Sequence, residues 1–213
     1  MNQSKAVFIS GISTEVGKTI ASAIVTEALQ ADYWKPIQAG ELDFCDTQKV
    51  KSLTSNTTSQ FHKNAFALKT PMSPHAAAKI DKVSIELKSI QRPVLQNQRL
   101  VIEGAGGLLV PFNDTEYIID LIQPEDYVIL VSRHYLGSIN HTLLSVEALK
   151  SRGFQKIGIL FSGNEHPTTE EIILSKTGLT CLGRINEESS FNQEKISDYA
   201  SKFRQSLQRF LDS

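Results

Sequence analysis

The sequence predicts an α/β fold: a single P-loop domain over residues 1–213, with a mainly parallel sheet and helices on both faces. Three observations carry that expectation. Short apolar runs alternate with longer helical patterns, the arrangement of βαβ units around a parallel sheet. The length, 213 residues, suits one large α/β domain better than two smaller ones. Near the start, an apolar run meets Gly11-Ile12-Ser13-Thr14-Glu15-Val16-Gly17-Lys18-Thr19 and a helical pattern follows, which is the strand–loop–helix setting of a phosphate-binding loop.

Each element follows from local pattern. Residues 6–10 are apolar and strand-sized, and 18–30 read as the helix after the loop. A strand is expected at 33–37. Residues 54–81 are polar and irregular, expected as a long functional loop or short helices at the sheet edge. A helix is read at 83–95, then strands at 99–102 and 127–131, each a continuous apolar run. Helix 138–150, strand 157–161, helix 168–175 and strand 179–183 continue the alternation. In the last helix, 194–211, Ile196, Tyr199, Phe203, Leu207 and Phe210 form one stripe at steps of three and four, a core-facing pattern. No repeat, low-complexity tract or linker interrupts the order.

Composition narrows the function classes. Hydrophobic residues make up 40% and charged residues 21%, with a formal net charge of -1 and no basic block. Such a chain is not expected to seek nucleic acid or an anionic membrane. No apolar run is long enough to span a bilayer, and Met1-Asn2-Gln3-Ser4-Lys5 lacks signal-peptide architecture. Cys45 and Cys181 are far apart without metal-type spacing, as expected of reduced thiols in a cytoplasmic protein.

The chemistry concentrates in two places. Backbone N–H groups of the loop point at phosphate oxygens and the helix dipole adds positive potential. Lys18 is expected to reach the β and γ phosphates, and the Thr19 hydroxyl to ligate Mg²⁺. The first glycine stands one residue early, with Ile12 in its place. The second place is Glu103-Gly104-Ala105-Gly106-Gly107, after the apolar run ending at Ile102. A carboxylate at the C-terminal end of a central strand faces the ligand crevice of an α/β sheet. Glu103 is therefore placed to join the magnesium ligands, with a solvated glutamate on a glycine turn as the bland alternative. Asp46 is a second candidate ligand, though alone it is an ordinary loop acid.

Together these motifs resemble the dethiobiotin synthetase family, nearly end to end and in order. Thr14-Glu15-Val16-Gly17-Lys18-Thr19 resembles the family's own phosphate loop, extra residue included. Lys35-Pro36-Ile37-Gln38-Ala39-Gly40 is similar to its lysine-proline segment. Ser73-Pro74-His75, residues 103–107 and Leu136-Gly137-Ser138-Ile139-Asn140-His141-Thr142 resemble further family motifs.

The resemblance implies an ATP-dependent cyclo-ligase that converts 7,8-diaminononanoate and CO₂ to dethiobiotin, with ATP as co-substrate and Mg²⁺ as cofactor. It implies catalytic roles for Lys35, Lys18 and Thr14, and a metal held by Thr19, Asp46 and Glu103. ATP contacts are implied for Glu15, Val16, Gly17, Lys18, Thr19 and Ile20, and for Asp46, Glu103, Gly104, Ala105 and Gly106. Base contacts are implied for Ser162, Gly163, Asn186, Glu187 and Glu188. Ala39 falls in the substrate site. The turn of Gly137, Ser138 and Asn140 is implied to take the substrate's carboxylate from the neighbouring subunit, which makes the expected form a homodimer with shared sites. Helix capping by Ser138 or Asn140 is compatible with that role. His75 and His141 receive no chemical role.

Four positions depart from the family pattern. Ser13 replaces a usual aspartate, and Ala39 stands where a hydroxyl normally contacts the substrate. Ser162 stands where an asparagine commonly reads adenine, with Asn164 two residues off, and Asn186 replaces a proline. These departures bear on nucleobase selectivity more than on phosphate chemistry. Three other readings remain: an amidase relative of cobalamin synthesis, for which the chain lacks room for a glutaminase domain; a partition-type switch ATPase, which needs a lysine where Ser13 stands; and a diverged relative that binds nucleotide without ligase activity.

Overall fold

Strand β1 (Lys5–Gly11) shows why this sheet is central. Val7 and Ile9 are buried in one hydrophobic cluster while Ala6 and Phe8 are buried in a second, so both faces of the strand are covered. A strand with no wet face reads as an unbroken apolar run, as residues 6–9 do. The computed structural model describes residues 5–95 and 97–212. Met1, Asn2, Gln3 and Ser4, expected to lead into β1, lie outside the described residues.

In chain order the further elements are α1 (Lys18–Leu29), β2 (Asp32–Trp34), β3 (Ile37–Ala39), α2 (Asp46–Leu53), β4 (Phe66–Leu68) and α3 (Pro74–Asp81). Then come β5 (Arg99–Gly107), β6 (Tyr127–Arg133), α4 (Ser138–Ser151), β7 (Ile157–Ser162), α5 (Pro167–Thr177), β8 (Thr180–Ile185) and α6 (Gln193–Leu211). Six strands form one sheet in the order β2-β5-β1-β6-β7-β8, and every pairing in it is parallel. All six C-terminal ends therefore share one edge. Helices α1 and α6 cover one face, where Ile24, Phe203 and Leu207 pack together with Val7 and Ile9. On the other face Ala77 of α3, Leu149 of α4 and Ile118 pack against Phe8 and Ile102. Helix ends carry the expected punctuation. Pro167 opens α5, Gly178 closes it at φ 69, and Asn192 caps α6 by accepting from the Lys195 N–H at 2.9 Å.

Three expectations need correction. The strand read at 33–37 is two short strands: Lys35 and Pro36 separate β2, in the main sheet, from β3, which pairs with β4 in a second, two-stranded sheet. Proline lacks the N–H for a continuous ladder. Residues 54–81 contain the short helix α3, one of the two forms expected there, and also strand β4, which was not expected. No α-helix forms at 83–95, only a single 3₁₀ turn at Leu87–Ser89. Lys82 ends α3 in a left-handed conformation, φ 57, and the chain then runs extended. It is held there by other loops: the Ile85 carbonyl accepts from Asn113 Nδ2 at 2.9 Å, and the Leu87 N–H donates to Glu116 at 3.0 Å. Pro93 further opposes a helix.

Candidate active site

The site grows from strand ends at the common edge. β1 delivers the loop 11–17 and α1 continues from it. Ile12 is buried and its N–H donates to the Val131 carbonyl at 3.1 Å, so the residue in the usual glycine place anchors the loop to β6. Glu15 and Gly17 take left-handed backbones, φ 55 and φ 93. For Glu15 that conformation costs on the order of 1 kcal/mol or more, strain held where the loop must present its N–H groups. Lys18 folds back over the loop, Nζ donating to the Ser13 carbonyl at 2.9 Å. Burial lowers its pKa to about 8, against partial compensation from Glu103.

Next along the edge, β5 raises Glu103, which is buried to 1% exposure. Its Oε1 accepts from the Thr19 hydroxyl at 3.1 Å and from Lys35 Nζ at 3.1 Å, and its Oε2 accepts from the Tyr33 hydroxyl at 2.9 Å. Lys35 also pairs with Asp46, the first residue of α2. Asp46 in turn accepts from Lys49 Nζ at 3.4 Å, and Lys49 pairs with Glu41. Burial alone would lower the Lys35 pKa, but Glu103 and Asp46 outweigh it and raise it. Burial likewise works against the Asp46 charge, and Lys35 overcomes it to hold the carboxyl below its usual range. Burial and then Glu103 push the Tyr33 phenol well above 10, so it stays a hydrogen-bond donor.

These groups fit a magnesium ion bound with phosphates. A Glu103 oxygen and an Asp46 oxygen flank the Lys35 ammonium, and Thr19 Oγ1 hydrogen-bonds the same Glu103 oxygen, already a cation-favouring place made of hard oxygens. Among the described residues no group of three or more His, Cys, Asp or Glu forms a metal cage. Two carboxylates and one hydroxyl suit Mg²⁺, which keeps positions for substrate phosphates and water.

A cavity of about 1270 Å³ connects these parts. Ser13, Thr14, Glu15, Gly17, Lys18, Thr19 and Ile20 line it, as do Lys35, Ala39, Asp46, Glu103, Ala105 and Gly106. One end reaches His141 and Leu144 on α4; the other reaches Ser162, Gly163, Asn186, Glu187 and Glu188. That volume exceeds the common range of roughly 300–1,000 Å³ for small-molecule sites.

Several expected residues stand elsewhere. Val16 turns into the hydrophobic core. Gly104 does not line this cavity; a Cβ there would sit 3.0 Å from Ile118 and from Phe8, so the glycine is needed for packing. Gly137 and Asn140 are exposed and Ser138 is buried, and none of the three lines this chain's cavity. Gly137 takes φ 101 at the start of α4.

Sequence reasoning missed Tyr33, Lys49 and Arg133. Tyr33 had a signal: it lies two residues before Lys35 in one extended run, hence on the same side. Lys49 follows Asp46 by three, which marks one helix face once α2 is recognised. Arg133 comes near Glu187 only in the folded chain, 3.2 Å apart.

Known proteins resemble this chain at two levels. A protein-family profile described as "AAA domain" matches residues 5–195. The ATP-dependent dethiobiotin synthetase BioD of Christiangramia forsetii is 63% identical, with 95% of this chain and 98% of that protein covered. The protein of the same name from Cytophaga hutchinsonii is 49% identical, covering 93% and 96%. A plasmid partition protein from Borrelia burgdorferi shares the fold at a TM-score of 0.58 and 17% identity, covering 99% of each chain. At that identity the likeness speaks for architecture alone, whereas the first two extend over nearly whole chains. On that ground the chain belongs to the ATP-dependent dethiobiotin synthetase family.

Proposed function

We propose that the chain closes the urea ring of dethiobiotin from 7,8-diaminononanoate, CO₂ and ATP, as a ligase in biotin biosynthesis. The observation that carries this reading is the Lys35 ammonium, buried between Asp46 and Glu103 beside the phosphate loop. A phosphate loop alone serves many functions; a second buried cation beside it answers a particular need. One substrate amine adds to CO₂ to give a carbamate, losing a proton. A carbamate oxygen then attacks the γ-phosphorus of ATP, breaking its bond to the β-γ bridging oxygen and releasing ADP. The second amine attacks the carbonyl of the resulting carbamic-phosphoric anhydride, closing the ring and releasing phosphate.

Two anions must meet in this scheme, so positive charge and donors are needed where they converge. Lys35 and Lys18 supply the charge, with Thr14 and the neighbouring loop N–H groups as donors near the carbamate. Thr19, Asp46 and Glu103 are the proposed ligands of Mg²⁺, which when bound neutralises charge developing on the transferred phosphoryl group. Glu15 to Ile20 and residues 103–106 hold the phosphates and ribose, and the loops at 162–163 and 186–188 receive the base. Ala39 offers the substrate no hydroxyl. A missing neutral hydrogen bond costs about 1 kcal/mol, which weakens binding without removing the chemistry.

We further propose a homodimer in which Gly137, Ser138 and Asn140 complete the partner's site. The support is their position outside this chain's own cavity, together with the neighbouring exposed apolar residues Tyr135, Leu136 and Ile139. The helix N-terminus there suits a carboxylate. Residues 1–213 are proposed to act as one domain in the cytoplasm. Both cysteines are free, and among the described residues no helix is long and apolar enough to cross a membrane. Incubation with diaminononanoate, bicarbonate and Mg-ATP tests the reading: dethiobiotin and phosphate should appear in equal amounts. ATP turnover without dethiobiotin would overturn it.

A further inference from the structure

We propose that Glu187, held in place by Arg133, is the residue that selects the nucleobase, by accepting a hydrogen bond from the exocyclic amino group of adenine. The inference rests on the assignment of the cavity to a nucleoside triphosphate.

Sheet register sets the geometry. β6, β7 and β8 are parallel neighbours, with Arg133 paired to Ser162 and Ser162 paired to Ile185. The next residues of β7 and β8 therefore leave the sheet side by side, and the Gly163 N–H donates to the Ile185 carbonyl at 2.8 Å. Ser162 is buried, and its Oγ stands 3.0 Å from where a Cβ on Gly17 would lie. Its side chain thus lies against the phosphate loop.

Arg133 and Glu187 line the same cavity with their side chains partly exposed, 43% and 58%. Glu187 Oε1 accepts from Arg133 Nη2 at 3.2 Å, and Oε2 accepts from Asn164 Nδ2 at 3.4 Å. The second contact exceeds the usual 2.7–3.2 Å range for N–H···O, which leaves Oε2 with capacity for a better donor. An ionised carboxylate only accepts, so it favours a base edge that presents an N–H. Adenine offers its amino group; the same purine without that group offers nothing. Arg133 fixes which way the carboxylate points. The loop beneath is tethered, since the Asn186 N–H donates to the Tyr199 oxygen at 3.1 Å and the Tyr199 hydroxyl donates to Glu188 at 2.7 Å.

Calorimetric titration of the full chain with ATP and with purine riboside triphosphate, both as magnesium complexes, tests this. Wild type should bind ATP about tenfold more tightly, the scale of one charge-assisted hydrogen bond. In Glu187→Ala the two affinities should become nearly equal through loss of ATP affinity alone. Arg133→Met should lose much of the preference and Arg133→Lys should retain part of it. Both side chains are partly exposed, and unchanged thermal midpoints confirm folding. An undiminished preference in Glu187→Ala overturns the inference. Failure of wild type to bind either triphosphate would instead overturn the nucleotide assignment beneath it.

Discussion

The two ends of the cavity are built on different principles. At the phosphate end, Lys35 and Glu103 are buried, half-buried Asp46 pairs with Lys35, and the Tyr33 hydroxyl and Thr19 close the set. At the base end, Arg133 comes from the end of β6 and Asn164 and Glu187 from two separate loops, with contacts of 3.2 and 3.4 Å. Burial makes charge interactions strong and geometry unforgiving, because an unpaired buried charge is costly. Exposed pairs are typically worth about 0–1 kcal/mol and are easily rearranged. The contrast suggests where substitutions abolish chemistry and where they only tune preference.

The largest expected effects fall at the phosphate end. Lys35→Ala should lower turnover by about 10²–10³-fold, the scale of a lost electrostatic contact to the reacting charge, while nucleotide binding changes far less. Asp46→Asn should fall in the same range. Single-turnover chemistry set beside calorimetry separates the two quantities; preserved chemistry with lost binding would make Lys35 a mere phosphate anchor. Glu103→Gln is the better probe of Glu103 than alanine, since alanine would strand both Lys35 and the Tyr33 hydroxyl in a buried site.

Next in size is the proposed third region, borrowed from the partner. Asn140→Asp places a negative charge against the substrate carboxylate and should raise the KM for the diamine by about 3- to 10-fold, with the KM for ATP unmoved. Mixed dimers with Lys35→Ala chains should regain activity, because one of the two sites carries neither lesion. No recovery after subunit exchange, or a monomer at assay concentration, would refute site sharing.

A third prediction distinguishes burial from chemistry. Glu27, in the helix that carries Lys18 and Thr19, accepts from the Ser55 N–H at 2.8 Å, the Ser55 hydroxyl at 2.9 Å and Asn56 Nδ2 at 3.0 Å. Glu27→Gln should cost about 1 kcal/mol of stability with kcat/KM unchanged. Burial works against the Glu27 charge, but these hydrogen bonds win and lower its pKa below 4.5. A depressed carboxylate contributes stability above its unfolded pKa and loses it as the pH falls through the folded value. Denaturation of wild type and variant should therefore converge in acid and differ at neutral pH.

The smallest effect belongs to the base end. Ser162→Asn should change the preference of ATP over other triphosphates by no more than a few-fold, since that side chain faces Gly17. A large gain would return the selecting role to position 162.

Legibility in the sequence follows the same division. The strands and the phosphate loop were readable because buried parallel strands are continuous apolar runs and the loop has a fixed strand–helix setting. Glu103 was readable because it ends such a run. Helix α2 was not, since only Val50 among Asp46–Leu53 is buried and the rest shows no apolar stripe. Yet that helix presents Asp46 and Lys49. At 83–95 the spacing of Val83, Leu87 and Ile90 imitates a helix, while Asn113, Glu116 and Pro93 impose an extended path. Arg133 and Glu187 lie 54 residues apart, and only the adjacency of β6, β7 and β8 brings them together.

The most direct measurement follows oxygen. Bicarbonate labelled with ¹⁸O is mixed with the diamine, Mg-ATP and excess enzyme in ordinary water and quenched before CO₂ hydration exchanges its oxygens with solvent, and the released phosphate is analysed by mass. If a carbamate oxygen attacks the γ-phosphorus beside the buried Lys35, each phosphate carries one oxygen derived from the labelled bicarbonate. Phosphate free of label, formed alongside ADP at the same rate, would mean that water attacks instead and would contradict the assignment.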